Sequence, residues 1–176
     1  MREWVLIILC SLVVTYAAYG QAIPQGHFRP PAVPLVACDP YFSIWSFNDN
    51  LTDGPTRHWT GKPQELTSLV RIDGKTFRLM GDQPDNLSAA HQTSLTVLPT
   101  RTIYQFDEAG VRVTFDFMTP KIPDDLLVCS WPITYLTWSA QSTDGKSHQV
   151  SVYLDASADL AVNVPEEKVT DERGSA

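Results

Sequence analysis

The sequence predicts an all-β protein, an antiparallel β-sandwich left incomplete at its C-terminal end. Three observations point there. Turn signals recur at short intervals, with Asp73-Gly74, Asp107–Gly110 and Thr143–Lys146 each separating two apolar-rich arms. The arms alternate: Val111, Val113, Phe115 and Phe117 point one way, while Arg112, Thr114 and Asp116 point the other. No stretch holds a helical apolar period between a cap and a stop, and Asp85–Gln92 has room for one short turn of helix at most. Roughly eight short strands, each with one apolar face, need a second sheet to cover them. A sandwich supplies it; a partly open barrel is the alternative.

At the N-terminus, "MREWVLIILCSLVVTYAAYGQA" has the layout of a secretory signal peptide. Arg2 is a thin basic start, and Trp4 to Val14 is an apolar run too short to span a bilayer comfortably. Small residues at Ala18, Gly20 and Ala22 suit cleavage after Gly20 or Ala22. Residues 1–20 are therefore expected to be a signal peptide and the mature chain secreted or periplasmic, with an uncleaved anchor as the alternative. Residues 21–34, with Pro24, Pro30, Pro31 and Pro34, form an extended lead-in, since proline suits neither a helix interior nor a central strand.

Residues 35–164 carry the predicted sandwich. In "YFSIWSF" a period of two places Tyr41, Ser43, Trp45 and Phe47 on one face and Phe42, Ile44 and Ser46 on the other. Both faces are largely apolar, which suits a strand covered on both sides. "SLVRIDGKTFRLMG" and "RTIYQFDEAGVRVTFDFMTP" read as hairpins. "ITYLTWSAQSTDGKSHQVSVYLD" reads as a third, with Leu136 and Trp138 sharing one face and Val150, Val152 and Leu154 another. Residues 165–176 are charged and break the pattern, as a polar tail or a domain cut before its remaining strands.

Composition narrows the partners. A hydrophobic share of 43% over 176 residues is enough for one domain with one core. The net charge of −7, without any Lys/Arg block, gives neither nucleic acid nor an anionic membrane electrostatic support. Cys38 and Cys129 could pair in an oxidising compartment, where closing a loop of about 90 residues would contribute ~4–5 kcal/mol in the chain-entropy picture. Both also sit in apolar contexts, "LVACDP" and "LLVCSW", where buried free thiols are common.

Candidate chemistry concentrates in "DPYFSIWSFNDNLTDGPTRHWTGKP". Asp49 and Asp53 could form a carboxylate pair acting on a sugar, or could be turn residues beside Asn50 and Gly54. His58 could be a general base, or an imidazole satisfied by its own loop; no second histidine stands at metal-ligand spacing. Tyr41, Trp45 and Trp59 could form an aromatic platform for a carbohydrate, or could pack in the core. No nucleophile elbow and no glycine-rich phosphate loop occurs. No catalytic residue, metal site or cofactor is assigned. Asn50 and Asn86 head the sequons Asn-Leu-Thr and Asn-Leu-Ser.

The runs "DPYFSIWS", "TRHWTGKPQELTSLVRIDGKTFR" and "VYLDASADLAVN" resemble the N-terminal region of the secreted glutaminase A family, and the resemblance extends from Arg29 to about Val164. It implies an extracellular amidohydrolase that converts glutamine to glutamate and ammonia. It also implies two parts: an N-terminal β-sandwich and a larger helical toroid holding the active site. On that footing the present chain is expected to be an incomplete, non-catalytic N-terminal domain whose partner is the helical catalytic domain. Two departures stand out. Ala37-Cys38 replaces a Thr-His, and Ser130-Trp131-Pro132 replaces a Ser-Arg-Pro. "TRHWTGKP" is then expected to be an inter-domain corner, with Arg57 and His58 making polar contacts and Trp59 anchoring the loop. The rival expectation is a free-standing carbohydrate- or surface-binding module.

Overall fold

The computed structural model describes residues 29–164 and 167–170. The expected signal peptide, most of the lead-in and most of the polar tail lie outside the described residues. Within them the chain forms nine strands, all paired antiparallel: β1 (Val33–Ala37), β2 (Ser43–Ser46), β3 (Leu66–Ile72), β4 (Lys75–Met80), β5 (His91–Leu98), β6 (Arg101–Glu108), β7 (Val111–Met118), β8 (Tyr135–Ser142) and β9 (Val150–Ala156). They make a three-stranded sheet ordered β4-β3-β9, a four-stranded sheet ordered β5-β6-β7-β8, and a two-stranded β1-β2 ribbon. The expected all-β sandwich is the fold observed.

The first two predicted hairpins form at their predicted turns. Asp73 and Gly74 take positive φ values of 48° and 87° between β3 and β4. Ala109 and Gly110 do the same, at 48° and 78°, between β6 and β7, so β6 runs on through Asp107 and Glu108 and the loop is tighter than expected. The alternation of β7 is preserved: Val111, Val113, Phe115 and Phe117 are each at most 1% exposed. They join Val70, Ile72, Leu79, Tyr104, Phe106, Val33 and Ile44 in one contiguous core fed by all three sheets. The ribbon docks across the end of β6 and β7, with Thr102 Oγ1 donating to the Pro34 carbonyl at 2.7 Å and Ala37 N–H donating to Thr119 Oγ1 at 3.3 Å.

Three expectations are corrected. The third hairpin does not form: β8 pairs with β7 and β9 pairs with β3, so the link between them crosses from one sheet to the other. Two apolar faces joined by a turn satisfy a crossover as well as a hairpin, and the covering surfaces decided which. "LLVCS", where no helical period is legible, is the short helix α1 (Leu126–Ser130); Asp125 caps it by accepting from Val128 N–H at 3.1 Å, and Leu126 and Leu127 are exposed. The extended lead-in ends in β1, so Val33 and Pro34 belong to a strand. Pro34 is tolerated because the ribbon has only two members and leaves an edge for a residue without an N–H.

Candidate functional site

The segment Thr56–Pro63 is a small hairpin laid against β2. Arg57 pairs with Trp45 through two backbone hydrogen bonds of 2.7 and 3.0 Å, so the segment adds to the edge of the ribbon. His58 N–H donates to the Lys62 carbonyl at 2.9 Å and Gly61 N–H to the His58 carbonyl at 2.8 Å, with Gly61 at φ 89° closing the loop. Thr56 Oγ1 fastens the base of the loop, donating to the Gln64 carbonyl at 2.7 Å and accepting from Leu66 N–H at 2.8 Å.

A second turn faces it. Asp39 Oδ1 accepts from Tyr41 and Phe42 N–H at 2.7 and 2.9 Å. That turn presents the Pro40 carbonyl to two rings at once: His58 Nε2 donates to it at 2.9 Å and Trp59 Nε1 at 2.7 Å. His58 Nδ1 accepts from Thr60 N–H and lies 2.8 Å from Thr60 Oγ1, so the ring hydrogen sits on Nε2 and both nitrogens are spent inside the corner. Arg57 Nη1 donates to the Gly61 carbonyl at 3.3 Å.

The corner borders a cleft of about 210 Å³ lined by Tyr41, His58, Lys62, Gln64, Asp159 and Asn163 among others. Its far wall is the short 3-10 helix Ala158–Ala161, capped by Ser157 and tied back where Ser157 N–H donates to the Glu65 carbonyl. Lys62 Nζ reaches across to the Asn163 carbonyl at 3.4 Å. Of the five residues expected at the site, Tyr41 and Trp59 are the exposed ones, at 90% and 56%; Arg57 and His58 are half-buried. Trp45 is half-buried in β2 with its indole N–H unpartnered. Lys62, Asp159 and Asn163 were not singled out from sequence. Lys62 stands inside the quoted motif, whereas the other two lie about 100 residues away and had no local signal.

The remaining candidates have structural occupations. Asp53 Oδ2 accepts from Asn50 N–H and Nδ2 at 3.0 and 2.9 Å, closing a turn, and Asp49 is ion-paired with Arg29 at 3.2 Å. Asn50 and Asn86, the two sequon residues, are exposed. Of the two readings open for Cys38 and Cys129, the structure holds both as free thiols. The Cys129 thiol turns to the Ile122 carbonyl at 3.0 Å, and Cys38 Sγ lies 3.6 Å from Thr134 Oγ1. The fold nonetheless brings the two segments together, since Lys121 Nζ donates to both cysteine carbonyls, at 2.8 and 3.0 Å.

Sequence reasoning missed one charged cluster altogether. His148 Nδ1 lies 2.6 Å from Asp73 Oδ2 and its Nε2 lies 2.9 Å from Asp144 Oδ1, with the His148 side chain only 9% exposed. Two carboxylates on one ring need two N–H donors, so the ring is an imidazolium. Asp144, then Asp73, hold the His148 pKa above its ordinary value. Gln149 N–H and His148 hold the Asp73 carboxyl below the usual range, and His148 and the Lys146 N–H do the same for Asp144. This cluster pins the β8–β9 crossover to the β3–β4 turn. Among the described residues no group of three or more His, Cys, Asp or Glu side chains is placed to hold a metal ion, and no helix is long and apolar enough to cross a membrane.

A family described as Domain of unknown function (DUF4964) matches residues 5–91, and one described as Domain of unknown function (DUF5127) matches residues 100–176. Glutaminase A of Aspergillus oryzae is 33% identical over 164 residues, covering 86% of this chain and 23% of that protein. A protein of Arthroderma benhamiae named "Probable glutaminase" is 25% identical over 194 aligned positions, covering 99% of this chain and 20% of that protein. The chain therefore spans less than a quarter of the length of these curated relatives. No solved structure gives a significant match.

Proposed function

This chain is a glutaminase A-like N-terminal region, and from that premise we propose that its β-sandwich is a non-catalytic domain of a secreted amidohydrolase. The single observation that carries the reading is the shape of the similarity: 86% of this chain aligns to only 23% of glutaminase A. Most of that enzyme lies outside the aligned part. The local chemistry supports the same division. Hydrolysis of glutamine to glutamate and ammonia needs a group free to activate water and another to protonate the leaving amine. His58 has spent both nitrogens inside the corner, on the Pro40 carbonyl and on Thr60, while Asp39 holds a turn and Asp159 accepts from Ser157 Oγ.

In this reading the Tyr41–Trp59 corner packs against the helical catalytic portion of the longer protein. Trp59 offers an exposed ring whose indole N–H is already held by Pro40, so the ring reaches the interface with its orientation set. The 90% exposure of Tyr41 beside it gives a second reading some ground, that of a carbohydrate-facing surface.

The test is an ammonia-release assay with glutamine on the purified chain, its β-rich circular dichroism recorded alongside. No release above blank is expected; release that persists through repurification overturns the proposal. A glycan-binding screen of the same sample separates the second reading, which requires micromolar binding lost in Trp59→Ala.

A further inference from the structure

The side of the sandwich where β8 and β9 lie is open. In an antiparallel pair, residues directly opposite share a face. Val70 is opposite Val152 and Ser68 opposite Leu154, and Val70 and Ser68 are fully buried against the core. Val152 and Leu154 point toward the same interior, yet they are 45% and 42% exposed. The facing sheet repeats the pattern. Phe115 is opposite Trp138 and Val113 opposite Ala140, so both β8 residues face inward; Trp138 is only half-buried, its indole N–H has no partner, and Ala140 is exposed. Both strands are also the last in their sheets, with one backbone edge unpaired among the described residues.

The opposite edges of the same sheets are treated differently. β4 carries Lys75 and Arg78, and its outer edge is covered: Arg78 N–H donates to the Ser88 carbonyl and Ala90 N–H to the Arg78 carbonyl, each at 2.8 Å. β5 is broken by a bulge between Gln92 and Ser94. Charge, cover and bulging are the devices by which proteins close an edge to further pairing. "YLTWSAQS" of β8 has no charge and no proline, and its pairing with β7 runs without a bulge; "VSVYLDA" of β9 has Asp155 alone.

We propose that the β8 and β9 edges each receive a further strand, alternating apolar with polar, from the polypeptide that follows this region in the full-length protein. These strands insert apolar side chains between Trp138 and the Val152–Leu154 pair and so complete the sandwich. The inference rests on the reading above, since it needs the longer polypeptide that the relatives possess. A second copy of this chain is the competing occupant of the same two edges, and the dilution experiment below separates it.

The chain is mixed with a purified polypeptide covering the stretch that follows the aligned segment in the Aspergillus oryzae relative, and amide hydrogen exchange is followed by mass spectrometry. Protection of β8 and β9 is expected to rise by about tenfold or more while β4 and β5 stay unchanged. Val152→Lys with Leu154→Lys, at positions exposed enough to tolerate charge, is expected to leave the fold intact and remove the effect. A complex protected only around Tyr41–Pro63 overturns this inference and leaves the inter-domain reading standing. No complex at all overturns both. Protection of β8 and β9 in the chain alone, lost on dilution together with a dimer mass by light scattering, assigns the edge to a second copy and also overturns it.

Discussion

His148 is a residue whose charge links two distant turns. Its ring stands between Asp73 and Asp144, with Lys146 Nζ 3.4 Å from the outer oxygen of Asp144. These partners raise the imidazole above its ordinary value of 6.5. A raised folded value means a contribution fully present below 6.5 and lost as pH climbs through the folded value. Asp73 and Asp144 behave oppositely: held below their ordinary 3.8, they contribute above it and lose that contribution as pH falls further. Thermal melts across pH 5 to 9 are therefore expected to show Tm falling as pH rises beyond 6.5 and through the folded value, and His148→Gln is expected to lower Tm near pH 6 and flatten that limb. An unchanged alkaline limb in the variant would show that the ring carries no linked proton. None of this was visible in the sequence. Asp144 and His148 are four apart in a stretch without helix, and Asp73 lies 75 positions from His148, so only folding makes them neighbours. His58 is the reverse case: the sequence flagged it, and a carbonyl and a threonine on nearby loops account for it.

At the scale of elements, turns were the most legible feature and the crossover the least. A tight reversal needs positive φ at defined positions, and residues that tolerate it are few, so Asp73-Gly74 and Gly110 announce themselves locally. Gly110 does more than turn. A Cβ there would stand 2.8 Å from Asp144 Oδ2 and 3.3 Å from His148 Cε1, so the β6–β7 turn is seated against the clamp on the β8–β9 crossover. Thr143 N–H donates to the Gly110 carbonyl at 2.8 Å from the same side. Gly110→Ala is expected to cost about 2–3 kcal/mol from backbone strain plus the displaced carboxylate. Gly145→Ala, with φ 76° but open space around it, is expected to cost about 1 kcal/mol from strain alone. Urea titrations of the two variants check the difference, and equal losses would mean that the contact with Asp144 contributes nothing. The crossover itself was read as a hairpin because alternation names the face of a strand and not its neighbour.

For the whole molecule, the two sheets and the ribbon share one apolar interior, and Phe115 lies near its centre. It is fully buried, 4.2 Å from the ring of Phe117 and stacked on Trp138 at 4.7 Å, which links the core to the open side. Phe115→Ala is expected to cost about 3–5 kcal/mol, read by denaturant unfolding, with tryptophan emission shifting to the red as Trp138 loses its stacking partner. A loss below about 1 kcal/mol would place the centre of the core elsewhere. The all-β class, the first two hairpins and the buried face of β7 could be read directly from the chain, because side-chain alternation and turn chemistry act over a few residues and leave their mark there. Three matters needed the folded molecule: which sheet β9 joins, which polar residues meet at the cleft and at His148, and which edges stay open. Each depends on contacts between segments far apart in sequence, whose energies belong to pairs of surfaces and not to any one stretch of the chain.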